Sequence, residues 1–380
     1  MSYARARLWL GITGVGSLVT FACISLMIGL PEFLFADQSR SWSSDLLQLV
    51  ALTGVFMLWL LPFDFLGGFF LPGKYEKSNQ TFSSWAGRYL IATFSQALIF
   101  VLFGFLIISL SRAFGQVGGI TTVCLGMIVC LLFRDWIFQR RSIRLESSSR
   151  QLLEAMQLVR SWQIPLPRTF VVSHEDIGFT GGIIGFGNRA QIVIPKAWLS
   201  FTREQLAAAI ARRAMAIHRG SYSRGLVLAF AWNMVGFLLC SWGFGVSSTS
   251  VEELFTICCG FTFWSFLGLL TLPTLSRNAS LNIDKQLLKQ GVSTALISDT
   301  ALQMDRFQDE EPRRSRWIET IFHPVPNVSS RNSGKATSGL AAWNVARTTL
   351  FFSWACLGFL SRSVHCNVGR PELWTMLPSD

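Results

Sequence analysis

Residues 202–246 read TREQLAAAIARRAMAIHRGSYSRGLVLAFAWNMVGFLLCSWGFGV, joining two kinds of helix with almost no linker. The first part predicts an amphipathic helix from Thr202 to Arg219. Thr202 and Gln205, three apart, form a capping box, in which each side chain meets the other residue's open backbone N–H. Leu206, Ile210, Ala214 and Ile217 make an apolar stripe at helical spacing. Arg212 and Arg213 fall in the middle. At about 100° per residue, Arg213 projects onto the face of Leu206, Ile210 and Ile217. A charge there needs a partner, because burying it alone is costly. The competing possibility is that Arg213 snorkels to water along its stem. The second part, Leu226 to Val246, is uncharged and long enough for a bilayer crossing, which takes about 20 residues.

Working outward, five more such runs appear: Leu8 to Leu30, Leu46 to Leu71, Tyr89 to Leu110, Val117 to Phe138 and Leu254 to Leu272. Composition agrees. Of 380 residues, 51% are hydrophobic and only 14% charged, against about 25% charged in an ordinary soluble domain. A soluble fold of this size has no place for 32 Phe and 14 Trp, whereas a bilayer takes them up directly. Pro62 predicts a kink in the second run, and Asp64 should face protein or water rather than lipid. Arg134 and Asp135, ending the fourth run, should lie at the membrane surface. A seventh run, Thr348 to Leu360, is short and bracketed by Arg347 and Arg362; re-entrant, interfacial and tilted-span readings all stay open. The first run is read as an anchor, since its apolar core is too long for a signal peptide and no small-residue cleavage site follows.

The net charge of +11 is no sign of nucleic-acid binding, because the Lys and Arg are spread along loops that flank apolar runs. That bias sets orientation. Arg5 and Arg7, then Lys74, Lys77 and Arg88, then Arg140, Arg141, Arg144 and Arg150 mark cytoplasmic segments. Glu32, Asp37 and Asp45, and later Glu252 and Glu253, mark outward loops. Seven of the eight Cys lie inside apolar runs, where a small buried hydrophobe is the expected role.

Between the spans, Ser149 to Trp162 has helical spacing and Thr169 to Val172 is a β-branched run. Gly178, Gly181, Gly182, Gly185 and Gly187 follow, then a strand from Gln191 to Ile194. The Gly cluster leads into a strand, not into a helix whose amides would hold a phosphate. It therefore reads as a hairpin turn.

In order and spacing, the stretch from Leu152 to Arg331 resembles the membrane zinc endopeptidases of the HtpX and CAAX-prenyl-protease group. The hairpin is Phe170 to Ile194. The helix is carried by Leu199, Thr202, Glu204, Gln205, Leu206, Ala208, Ile210 and Ala211. Two spans follow, then Ser276, Arg277 and Asp284, and finally His323, Pro324 and Arg331. The resemblance implies a mainly helical polytopic membrane protein of about six transmembrane helices. A small cytoplasmic α+β metalloprotease-like domain would be split by a transmembrane hairpin. The implied partition is a four-helix anchor (1–138), a first cytoplasmic half (139–224), the membrane hairpin (225–275), a second half (276–346) and a short apolar segment with tail (347–380).

The ligands implied by the resemblance are missing. Two His four residues apart bind zinc because they share one helix face, with a Glu beside the first as general base. The aligned positions here are Arg212, Arg213 and Ala216, and the third ligand is aligned with Ser280. Arg is permanently cationic and cannot ligate a metal. The chain has four His, at 174, 218, 323 and 365, none at four-residue spacing. His218 lies two residues past the second ligand position, about 200° around the helix, and is expected to be an ordinary polar residue. His174, with Glu175 and Asp176, sits in a turn.

Asp284 matches a carboxylate that steadies a zinc-binding His in the family. Two Arg stand where a metal and its ligands are missing, so Arg212 or Arg213 is expected to pair with Asp284, a guanidinium being suited to a carboxylate. No cofactor or metal is expected. The function implied is a pseudoprotease that binds or regulates membrane proteins or a partner protease, with the bilayer as its other partner. Phe179, Gly181, Ile192, Val193 and Ile194 would offer a hairpin edge for peptide strand addition. A structural subunit of a membrane complex and an active endopeptidase with an unrecognised site are the alternatives. The resemblance points to a bacterial inner membrane, with the N-terminus and soluble domain cytoplasmic.

Overall fold

Three of the long helices start well before their apolar runs, at Ser or Thr residues that cap them. The hydroxyls of Ser2, Ser41 and Thr81 accept from the backbone N–H of Arg5, Ser44 and Ser84, satisfying one open donor at each helix start. The computed structural model describes residues 1–35, 41–143, 150–173, 178–308, 315, 318, 326–332, 339–364, 367–371 and 374. In order these form α1 (Tyr3–Met27), α2 (Leu30–Phe35), α3 (Trp42–Phe65), a π-helical turn (Leu66–Phe70), α4 (Leu71–Lys74), α5 (Phe82–Phe114), α6 (Gln116–Arg141) and β1 (Ser142–Ile143). Then come α7 (Arg150–Ser161), β2 (Thr169–Val172), β3 (Gly182–Ile184), β4 (Gln191–Pro195), α8 (Arg203–His218), α9 (Ser221–Phe244), α10 (Val251–Lys289), α11 (Thr294–Gln308), α12 (Val328–Asn332) and α13 (Val345–Phe352).

Among the described residues, six helical stretches are long and apolar enough to span a bilayer: Tyr3–Met27, Trp42–Lys74, Phe82–Phe114, Gln116–Trp136, Ser221–Phe244 and Val251–Lys289. The protein is an integral multi-pass membrane protein, mainly helical, with one small mixed sheet. Pro62 lies inside α3, and the departure from regular α-helix follows it, in the π turn at Leu66–Phe70.

The chain divides into two compact units. The first holds Met1–Leu131, Phe230–Gly268 and Thr349–Thr375. Three polar clusters tie it together. In one, Arg112 grips Asp45 with two hydrogen bonds (2.6 and 2.9 Å) and donates from Nε to the Thr249 carbonyl (2.7 Å). The start of α3, the end of α5 and the start of α10 therefore meet. In another, Arg7 donates to the carbonyls of Gly67 and Val368. Arg7, which the sequence places in a basic N-terminal segment, is thus buried.

The third cluster surrounds Asp64, which faces protein as expected. Its carboxylate accepts from Arg362 (2.8 Å), the Gly369 amide (2.8 Å) and the Tyr89 hydroxyl (3.2 Å). Arg362 also donates to Gln96 and stacks over Trp374. The backbone at 368–369 passes so close to the π turn that a Cβ on Gly68 would collide with the Gly369 carbonyl.

The seventh apolar run does not span. Helix α13 has eight residues, about 12 Å at the α-helical rise, and turns follow it. Phe351, Phe352, Cys356, Leu357 and Leu360 are buried, and Asn233 donates to the Thr349 carbonyl (3.1 Å). Irregular backbone among apolar helices is tolerated where protein covers it.

The second unit holds Leu132–Ala229, Leu269–Thr348 and Met376–Asp380. Its sheet has the order β1-β2-β4-β3. This corrects the expected hairpin from Phe170 to Ile194. The Gly-rich stretch contains a strand of its own, β3, antiparallel to β4, while β2 pairs with β4 in parallel (Phe170 with Val193). Helices α7 and α11 pack on α8. At the end of the fourth span, Arg134 is buried and pairs with Asp135 (3.1 Å), which accepts from the Gly185 amide (3.0 Å).

Candidate functional site

The centre of the second unit is α8. Its capping box is complete: the Gln205 amide donates to Thr202 Oγ1 and the Thr202 amide to Gln205 Oε1, both at 3.2 Å. Ala207, Ala208, Ala209 and Ala211 let neighbouring elements approach closely, and all are fully buried. Both Arg212 and Arg213 are fully buried too. Adjacent helical residues point about 100° apart, so the two guanidinium groups address different walls.

Arg213 faces the sheet. Its Nη1 donates to the Val193 carbonyl (2.7 Å), its Nη2 to the Thr180 carbonyl (2.6 Å), and its guanidinium lies 4.6 Å from the Trp198 ring centroid. Carbonyl dipoles and an aromatic face together meet a cation that water does not reach. Gly181, at φ +69°, is required here, because a Cβ would run into the Val193 carbonyl. Snorkelling is therefore not how Arg213 is accommodated.

Arg212 faces α10. Its Nε lies 3.1 Å from Asp284 Oδ1, the ion pair expected between this helix and Asp284. Arg331 holds the other carboxylate oxygen, Oδ2, through Nη1, and donates from Nε to the Pro326 carbonyl (2.9 Å). The carboxylate is thus shared by two arginines. Trp343 closes another side, its ring centroid 5.9 Å from the Arg212 guanidinium carbon. Trp343 is placed by backbone contact: its amide donates to the Ser221 carbonyl (3.0 Å), and Gly225 leaves room for its carbonyl.

Of the other expected site positions, Ala216 and Ser280 are buried and His218 is exposed. His174, Glu175, Asp176, His323 and Pro324 lie outside the described residues. The peptide-binding edge requires correction. β4 is an inner strand, paired on both sides, so Ile192, Val193 and Ile194 present no free ladder. Phe179 and Gly181 are buried, and Gly181 backs the Arg213 socket. The sheet edges are β1 and β3, and side chains of the same unit already occupy β3. The Tyr222 hydroxyl shares a hydrogen bond between the carbonyls of Ile183 (3.2 Å) and Gly185 (3.0 Å), and Asp135 takes the Gly185 amide.

The residues that the resemblance aligns with a metal site do not fit a metal. Two arginines, an alanine and a serine supply neither an imidazole nor a carboxylate, and one arginine already takes the nearby Asp284. Among the described residues no three His, Cys, Asp or Glu gather closely enough to hold an ion. Sequence reasoning missed the pairing of Arg331 with Asp284 and the place of Trp343. The first had a signal, the alignment of Arg331 with the closing element. The second had none.

No family model matches the sequence, and no curated protein matches it. Among solved structures, the crystal structure of S. mikatae Ste24p matches with a TM-score of 0.60 at 14% identity, covering 76% of this chain and 74% of that chain. At that identity the likeness shows the fold: this chain has the Ste24p-like architecture.

Proposed function

We propose that this protein is a non-catalytic relative of the membrane zinc endopeptidases, a pseudoprotease that binds or regulates membrane proteins or a partner protease. Ste24p, whose fold it shares, is a CAAX prenyl protease. The observation that carries the reading is the buried Arg212–Asp284–Arg331 cluster. It stands where the resemblance places zinc and its ligands. A cationic guanidinium there repels a metal ion and cannot act as a general base at neutral pH. The cluster supplies instead a link between α8 and α10, which is a structural role for a catalytic position.

The test uses the full chain purified in mild detergent. Elemental analysis should find no stoichiometric zinc, and casein should stay uncut with or without chelator. One zinc per chain, with cleavage lost on chelation, would overturn the reading. Co-purification from crosslinked membranes should yield a membrane protein partner. A fixed-stoichiometry partner that cannot be removed would favour a structural subunit instead.

The proposed location is the bacterial inner membrane, with the N-terminus and the second unit cytoplasmic. Arg5, Lys74 and Lys77 are exposed and support this orientation through the positive-inside bias. Labelling of single cysteines at 5 and 77 by an impermeant reagent in intact cells would contradict it.

A further inference from the structure

We propose that Arg212 anchors a site for a small oxyanion, a phosphate or a carboxylate, in the place where the resemblance puts zinc. The proposal rests on the reading that no metal sits there and goes beyond it. Arg212 is fully buried, and neither its Nη1 nor its Nη2 has a hydrogen-bond partner. Nε is 3.1 Å from Asp284 Oδ1 but is not aligned for a hydrogen bond. The fork of the guanidinium, the part that matches a two-oxygen acceptor, therefore makes no hydrogen bond to Asp284.

Buried polar side chains on the neighbouring elements are open as well, one of them the acceptor Asp284 Oδ1 and the others able to donate. Trp343 Nε1 and Asn344 Nδ2 are buried donors without a partner, and so is the Ser276 hydroxyl. Trp343 lies against Arg212. Ser276 is on α10, on the face that carries Ser280 and Asp284 at helical four-residue spacing. The hydrogen bond from the Ala342 amide to the Leu275 carbonyl (3.3 Å) brings the 342–344 segment to that part of α10. Trp343, which carries one open donor, thus lies against a permanent cation, and Ser276 and Asn344 carry further open donors on the elements beside it. What would satisfy them is an acceptor carrying negative charge and at least two oxygens.

The experiment is thermal unfolding of the full chain in mild detergent, read by Trp fluorescence, at constant ionic strength. Sodium phosphate, sodium acetate and sodium chloride are titrated separately. Phosphate or acetate should raise the melting temperature saturably and chloride should not. A larger effect of phosphate identifies a phosphate site, and a larger effect of acetate a carboxylate site. Arg212→Met should raise the half-saturating concentration at least about tenfold, the loss expected for a charge-assisted hydrogen bond. If Arg212→Met does not fold, Ser276→Ala with Asn344→Ala, which leaves the ion pair intact, should weaken the response in the same direction. No saturable response in the unaltered protein overturns the proposal, and so does a response equal in every folded variant. Zinc in the purified protein would sink the pseudoprotease reading separately, since that measurement involves no added anion.

Discussion

Arg212 Nε and Asp284 Oδ1 lie 3.1 Å apart, with Asp284 Oδ2 held by Arg331. One carboxylate thus serves two cations, which makes its loss and the loss of either arginine unequal. Removing one partner of a buried ion pair typically costs about 3–5 kcal/mol, because the other charge is left uncompensated.

Asp284→Leu should therefore fall in that range or above it, since two buried guanidinium groups lose their anion together. Arg212→Met should cost less, because Arg331 still neutralises Asp284. Combining the two should cost less than their sum. Chemical denaturation followed by near-ultraviolet circular dichroism gives the order, and Arg212→Met more damaging than Asp284→Leu would contradict the shared carboxylate.

Arg213 provides a second case. Arg213→Lys keeps the charge but has no planar fork to reach the Val193 and Thr180 carbonyls while stacking on Trp198. It should destabilise the second unit by about 2 kcal/mol or more, the scale of a lost charge-assisted hydrogen bond. A neutral result in the same unfolding assay would mean that the two carbonyls do not need the guanidinium.

In the first unit, Asp64→Ala strips partners from Arg362, the Gly369 amide and Tyr89 at once. The expected outcome is loss of the docked C-terminal segment, read as new protease cleavage between residues 353 and 371. Gly68→Ala should give the same pattern by collision with the Gly369 carbonyl, without touching a charge. If Asp64→Ala leaves the segment protected, the Asp64 cluster does not hold it.

The edge of β3 yields a fourth prediction. Tyr222→Phe leaves the carbonyls of Ile183 and Gly185 without this donor while keeping the ring in place. Each buried acceptor left open costs about 1–3 kcal/mol. The Gly185 amide should exchange with deuterium faster in Asp135→Asn, which weakens its acceptor. Unchanged exchange across 182–185 in both variants would show that the edge is held by something else.

The long spans were legible because twenty or so apolar residues in a row leave few alternatives to a bilayer crossing. Capping was legible because it is local: Thr202 and Gln205 meet one turn apart. The sheet was not. Thr169–Val172 and Gln191–Ile194 read as strands, but a run of glycines carries no side-chain alternation, so β3 stayed hidden and the pairing of β2 with β4 was taken as a hairpin. Arg7 reads as part of a basic N-terminal segment, and Arg362 as a charge bracketing an apolar run. Nothing local distinguishes a basic residue in a membrane-flanking loop from one that finds carbonyls or a carboxylate far along the chain.

The sequence by itself therefore determined that the chain crosses a membrane, that α8 is a helix with two arginines at its middle, and that zinc ligands are absent from the matched positions. Those follow from residue type and short spacing. Tertiary structure alone decided that Arg212 and Arg331 share Asp284, that Arg213 is held by strand carbonyls, and that Arg362 is locked to Asp64. A buried charge requires a partner, but that requirement does not say which one. The choice is made when distant segments are brought within about 3 Å of each other.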